Sequence, residues 1–123
     1  MSQDKKILIV DDDREMVLLM ESILKKQGYE IVTAYDGLSA IEKSNENPID
    51  LILMDIRMPM LSGFWFCDAF KQRPKTKNVP VVIVSSLSGE ADVQKAYQMG
   101  ASGYLKKPFQ SEELLETVRK TLA

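Results

Sequence analysis

Three runs of four apolar residues, Ile7–Val10, Leu51–Met54 and Val81–Val84, contain no polar side chain. A strand with one wet face alternates apolar and polar residues, so a continuous apolar run suits a strand covered on both sides, as in a parallel sheet. Two weaker runs, Ile31–Ala34 and Gly103–Leu105, extend the series. Amphipathic segments separate them. Residues 14–27 carry Met16, Val17, Met20, Ile23 and Leu24 and stop at Gly28, a helix-ending signal. Further helices are predicted at 38–45 after the Asp36-Gly37 turn, at 64–72 before Pro74, and at 90–99 before Gly100. A last helix opens at Ser111, read as its N-cap, with Leu114, Leu115, Val118 and Leu122 on one side. Strict alternation of strand and helix implies an α/β fold. The expected architecture is a doubly wound five-stranded parallel sheet with right-handed crossovers and helices on both faces. At 123 residues, 1–123 reads as one domain.

Composition removes several classes of function. The formal net charge is −2, and the lysines and arginines are scattered, so no direct nucleic-acid partner is expected. No apolar stretch reaches the length of a membrane span, and no secretory signal follows Met1; a cytoplasmic protein without a membrane partner is expected. The single cysteine, Cys67, reads as a small buried apolar residue in a reducing compartment. There is no histidine, which excludes histidine-based catalysis, histidine metal ligands and a phosphohistidine of its own.

The polar residues fall where the strands end. The first run is followed by Asp11-Asp12-Asp13, the third by Asp55, the fourth by Ser85-Ser86 and the fifth by Lys106-Lys107-Pro108. In a parallel sheet these ends share one edge, where open α/β sheets bind ligands. Carboxylates gathered there repel one another unless a cation intervenes. Oxygen donors without imidazole or thiolate suit a hard ion such as Mg2+. A carboxylate can also act as a nucleophile toward phosphorus, while a lysine and a hydroxyl hold phosphoryl oxygens.

In this order and at these intervals, the residues resemble the response-regulator receiver family, from about Lys5 to Leu122. The acidic pair matches Asp11-Asp12, and the phosphoacceptor matches Asp55 in Leu53-Met54-Asp55-Ile56-Arg57-Met58-Pro59, followed by Ser62-Gly63. The switch hydroxyl matches Ser85, the switch aromatic matches Tyr104, and the lysine matches Lys107 in Lys107-Pro108-Phe109, where the family usually has a cis peptide. The resemblance implies a flavodoxin-like (βα)5 fold with strand order 2-1-3-4-5. It implies Mg2+ as cofactor, bound by Asp12 directly, by Asp11 partly through water, by Asp55 and by the backbone carbonyl of Arg57. Asp55 would be the nucleophile, Lys107 would pair with a phosphoryl oxygen, and Ser85 would donate to another while drawing Tyr104 inward. The implied role is a signalling phosphoacceptor rather than an enzyme acting on other substrates. The phosphoryl group would come from a sensor histidine kinase or phosphotransfer protein. Downstream partners, a homodimer among them, would read the face formed by the fourth helix, fifth strand and fifth helix. Neither Arg57 nor Leu87 offers an acid or amide to orient an attacking water, so a long-lived phosphoryl group is expected.

Each residue alone has a plainer meaning. Asp13 reads as the cap of the first helix and is left out of the metal site. Lys107 alone would be a solvated lysine, Tyr104 a core aromatic, Phe64 and Trp65 packing residues, and the methionines core filler. Lys106 is taken to point outward. Three other functions compete. A haloacid-dehalogenase-like phosphatase needs an Asp-x-Asp-x-Thr/Val pattern, which Glu15 breaks, and a cap domain for which there is no room. A flavodoxin-like cofactor binder needs a glycine- and hydroxyl-rich first loop, where this chain has three aspartates. A degenerate receiver is disfavoured because Asp12, Asp55, Ser85 and Lys107 are all present.

Overall fold

The structure is a computed structural model; it describes residues 5–57, 62–87 and 89–123. Strands and helices alternate through the chain: β1 Lys6–Val10, α1 Arg14–Lys25, β2 Glu30–Ala34, α2 Gly37–Glu46, β3 Leu51–Met54, α3 Gly63–Gln72, β4 Val81–Ser85, α4 Glu90–Gln98, β5 Gly103–Lys106 and α5 Ser111–Leu122. All strand pairs are parallel and the sheet order is β2-β1-β3-β4-β5, as expected.

The apolar runs form the central strands because alternate residues enter two cores. Leu8, Val10, Ile52, Met54, Val81 and Ile83 pack with Ala40 of α2, Phe64, Phe66, Cys67 and Phe70 of α3 and Ala96 of α4. Ile7, Ile9, Leu51, Leu53, Val82 and Val84 pack with Val17, Met20 and Leu24 of α1 and Leu114 and Val118 of α5. Cys67 and the methionines Met20 and Met54 are buried as expected; Met58 and Met60 lie outside the described residues.

Local chemistry sets the helix ends. Asp13 caps α1, its side chain accepting from the N–H groups of Glu15 (3.1 Å) and Met16 (3.3 Å). Gly28 takes φ +93°, a left-handed conformation that costs glycine little, and turns the chain from α1 to β2. The N-cap of α5 corrects one expectation: it is Gln110, with Ser111 as the first helical residue. The Gln110 backbone N–H donates to Glu113 Oε1 at 2.7 Å, half of a capping box that outweighs serine's usual preference for the cap. Trp65 corrects another. Phe64, Phe66, Cys67 and Phe70 fill the inner side of α3, so Trp65 turns outward and is 51% exposed.

Candidate functional site

The strand order reverses between β1 and β3, which leaves a crevice at their C-terminal ends. Asp11 and Asp55 stand on either side of it. Both are still anchored by sheet-like main-chain bonds: Asp11 N–H donates to Ala34 O (3.2 Å) and Asp55 N–H to Val10 O (3.0 Å). Asp11 is 1% exposed and Asp55 8%, whereas Asp12 is exposed. One carboxylate oxygen from each of the three can be chosen so that all lie within 4.8 Å of one another. Gly63 closes the site from behind. Its N–H donates to Ile56 O (2.7 Å), and a Cβ there would fall 2.3 Å from the Asp55 carbonyl oxygen, so only glycine lets α3 start this close.

Lys107 enters from the far side, after β5. Its backbone N–H donates to Ser85 O (2.8 Å), and the Lys107–Pro108 peptide is cis. Its ammonium lies 2.7 Å from Asp11 Oδ2 and 3.4 Å from Asp55 Oδ2. The electrostatics are those of crowded carboxylates around one cation. Burial pushes the Asp11 carboxyl above its ordinary pKa, and the Asp55 charge adds to this, against the Lys107 bond and the Asp13 N–H. For Lys107, burial pulls downward but is outweighed by Asp11 and Asp55 together, so its pKa rises. Three carboxylates against one ammonium leave a surplus of negative charge. A donor set of oxygens alone, within 4.8 Å of one another, suits a hard divalent cation such as Mg2+ by its chemistry.

Ser85 and Tyr104 form a second group beside the first. Ser85, the last residue of β4, is fully buried, and its Oγ accepts from Leu87 N–H at 3.2 Å. The Leu87 carbonyl accepts a hydrogen bond from the Tyr104 hydroxyl. The aromatic is therefore already tied to the β4–α4 turn through the backbone of Leu87. That linking role left no trace in the sequence, because it uses no side-chain chemistry of Leu87. Burial raises the Tyr104 hydroxyl above its ordinary pKa, with the charges of Asp92 and Asp55 adding.

Of the expected site residues, the fold brings Asp11, Asp12, Asp55 and Lys107 into one cluster. Ser85 joins it through the main chain of Lys107, and Tyr104 through Leu87. Arg57 turns its side chain outward while its N–H donates to Asp55 Oδ1 at 3.1 Å. Lys106 is exposed, as expected. Met58 and Pro59, which belong to the phosphoacceptor motif, lie outside the described residues.

A parallel five-stranded sheet in the order β2-β1-β3-β4-β5, with an acidic crevice, a lysine and a hydroxyl at one edge, defines the flavodoxin-like class of receiver-type α/β domains. Residues 7–119 match the response regulator receiver domain, and the chain belongs to that family. Protein PilG of Pseudomonas aeruginosa is 36% identical over 118 residues, which cover 96% of this chain and 87% of PilG. The transcriptional regulatory protein CpxR of Escherichia coli K12 is 36% identical over 117 residues, 95% of this chain but only 49% of CpxR, so the chain spans about half the length of that relative. Among solved structures, the chemotaxis protein CheY4 of Vibrio cholerae superposes with a TM-score of 0.93 at 33% identity, covering 97% of this chain and 99% of that one. The receiver domain of the sensor histidine kinase PA1611 of Pseudomonas aeruginosa, solved with a magnesium ion in its active-site cleft, gives a TM-score of 0.88 at 27% identity, covering 97% and 98%. Among the described residues, no helix is long and apolar enough to cross a membrane.

Proposed function

We propose that this receiver domain, spanning residues 1–123, accepts a phosphoryl group on Asp55 in the presence of Mg2+ and passes the change to the α4-β5-α5 face. The observation that carries the reading is the meeting of Asp11, Asp12 and Asp55 with the Lys107 ammonium at the sheet's switch point. Asp55 is the nucleophile. Its carboxylate oxygen bonds to phosphorus as the bond from phosphorus to the donor's imidazole nitrogen breaks, and the imidazole leaves with that electron pair. The Asp55 N–H bond to Val10 O holds its backbone and the Arg57 N–H holds one carboxylate oxygen, so little reorganisation is needed. Asp11, Asp12, Asp55 and the Arg57 carbonyl are the residues that would hold Mg2+. When bound, the ion neutralises the cluster and the incoming phosphoryl oxygens. Lys107 neutralises one further oxygen, and Ser85 donates its hydroxyl to another.

Ser85 cannot turn toward Asp55 without disturbing the Leu87 N–H that it now accepts from, and Leu87 in turn holds Tyr104. The element next in line is weakly held. α4 buries only Ala96 and has no side-chain cap bond, whereas α3 buries Gly63, Phe64, Phe66, Cys67 and Phe70. A charge added at Asp55 thus biases the helix that yields most readily. The partners of this reading are a sensor histidine kinase or phosphotransfer protein as donor and, on the switched face, a target protein or a second copy. The domain acts in the cytoplasm and catalyses only its own phosphorylation and dephosphorylation. With Arg57 turned outward and Leu87 apolar, neither position orients an attacking water, so the phosphoryl group is long-lived.

Intact mass after incubation with acetyl phosphate and Mg2+ tests the reading. One added phosphoryl group, lost with chelator and in Asp55→Asn, is the expected result. No gain in folded, Mg2+-binding protein would make the chain a receiver that no longer takes phosphate.

A further inference from the structure

Leu38 and Trp65 are large apolar residues that the fold leaves 59% and 51% exposed, and they come from two different helices. Both stand in the first turn of their helix. Gly37, the residue before Leu38, lies so close to the Phe66 ring that a Cβ there would overlap it, which brings the first turns of α2 and α3 into contact. Trp65 packs edge-on against the same Phe66 ring, with centroids 4.9 Å apart and an interplanar angle of 81°. Below this level the two helices continue side by side. Ile41 and Asn45 follow Leu38 at helical spacing and Ala69 follows Trp65, so each helix presents one stripe at the seam. Ile41 and Ala69 are half-buried there. At the far end Arg73 Nη2 donates to Asn45 Oδ1 at 2.6 Å and closes the seam. The result is a shallow apolar groove about 15 Å long, open at the end marked by Leu38 and Trp65.

The shoulders of this groove carry one sign of charge. Glu42 stands on the outer side of α2 and Asp68 on the outer side of α3; both are exposed, and neither has an ion-pair partner among the described residues. The cations at the closed end, Arg73 and Lys75, are both turned to Asn45. We propose that the α2–α3 groove is a docking site for an amphipathic helix of a partner protein, one whose apolar stripe is flanked by lysines or arginines. Trp65 is the anchor: an indole already held against a second ring has little rotamer freedom left to lose on binding. Leu38 forms the facing wall, and basic residues on the flanks of the incoming helix meet Glu42 and Asp68. Those same carboxylates repel nucleic acid and anionic lipid, so the surface selects a protein. The site goes beyond the proposed function, because it is built from α2 and α3 rather than from the α4-β5-α5 face and asks nothing of a phosphoryl group.

Trp65 is the only tryptophan, so its emission reports on the groove directly. The full chain, immobilised without a phosphodonor, is used to select from a displayed library of single helices randomised on their surface positions. Selected peptides, made without tryptophan, are then titrated against the chain in solution. The expected peptides carry an apolar stripe between basic residues and shift Trp65 emission to shorter wavelength. Leu38→Ala, and Glu42→Lys combined with Asp68→Lys, should each weaken binding about tenfold. Tyr97→Ala, which removes an exposed aromatic of α4, should leave it unchanged. All four positions are exposed, so the variants keep the core, and matching urea midpoints check this. The proposal is overturned if no helix is enriched, if the enriched helices have acidic or uncharged flanks, or if they bind Leu38→Ala as tightly as the natural chain and leave Trp65 emission unchanged. Loss of binding in Tyr97→Ala would place the contact on α4 and overturn it as well. None of these outcomes bears on phosphoryl uptake by Asp55.

Discussion

Each central strand has a body and a tip, and the two are equally hidden from water. Ile7–Val10, Leu51–Met54 and Val81–Val84 are at most 1% exposed, and the residues that follow them, Asp11, Asp55 and Ser85, are 1%, 8% and 0% exposed. The energetics run in opposite directions. Burying the apolar bodies stabilises the fold by about 25 cal/mol for each Å2 removed from water. Burying the carboxylates at the tips costs free energy that Lys107 and two backbone N–H groups only partly offset. The bodies therefore hold the tips in place, and in the proposed function the tips carry the chemistry. Function and stability should separate within a single strand.

The largest effects test that separation on β3. Asp55→Asn should abolish phosphoryl uptake while leaving the urea midpoint of the metal-free protein unchanged or raised, because a neutral amide replaces a carboxylate crowded against Asp11. A lower midpoint would mean that the tip stabilises the fold, and the contrast would fail. Leu53→Ala, two residues earlier and fully buried, should do the reverse. It should cost about 2–5 kcal/mol, a large part of the roughly 5–15 kcal/mol typical of such a domain. Its folded fraction should still take up phosphoryl groups by intact mass.

This division also explains what was legible in the sequence. The bodies were readable because a strand covered on both faces tolerates no polar residue, so the first, third and fourth runs marked themselves. The tips were readable because a parallel sheet sends every C-terminal end to one edge, which placed Asp11, Asp55, Ser85 and Lys107 together before any geometry was known. What stayed hidden depends on backbone paths between elements. That Lys107 leans on Asp11 more than on Asp55, and that Leu87 joins Ser85 to Tyr104 through its main chain, follow from turns after β4 and β5. The exposure of Trp65 is legible on a helical wheel, where Phe64, Phe66, Cys67 and Phe70 already fill one arc and leave it outside. At the start of α5 serine's stronger cap preference points to Ser111, whereas Glu113, three residues after Gln110, is the signal for Gln110.

A smaller effect sharpens the contrast at the edge of the site. Asp13 adjoins the acidic pair, yet its bonds to Glu15 and Met16 N–H groups make it a helix cap. Asp13→Ala should lower stability by about 1 kcal/mol and leave phosphoryl uptake unchanged. A comparable loss of uptake would assign Asp13 to the tip rather than to the fold.

The smallest effect, absent at neutral pH, comes from a titrating thiol in the core that packs α3 against the strand bodies. Cys67 is fully covered in the core beneath α3. Burial pushes its thiol up to about 11 from an ordinary 9.0, with the Lys71 charge opposing and that of Asp68 adding. A pKa raised on folding means that the folded state holds the proton more tightly. The stability this contributes is complete below pH 9 and is lost as pH climbs through about 11. Urea midpoints measured from pH 8 to pH 11 should therefore fall more steeply for the natural chain than for Cys67→Ala. Lys107 and Tyr104 titrate in both proteins, so the difference between the curves reports the thiol together with its coupling to the Lys71 ammonium. At pH 8 the same burial should keep Cys67 unreactive toward iodoacetamide until denaturant is added. Rapid labelling of the native protein would show that this part of the core opens to water, and that its burial is less complete than that of the strands it covers.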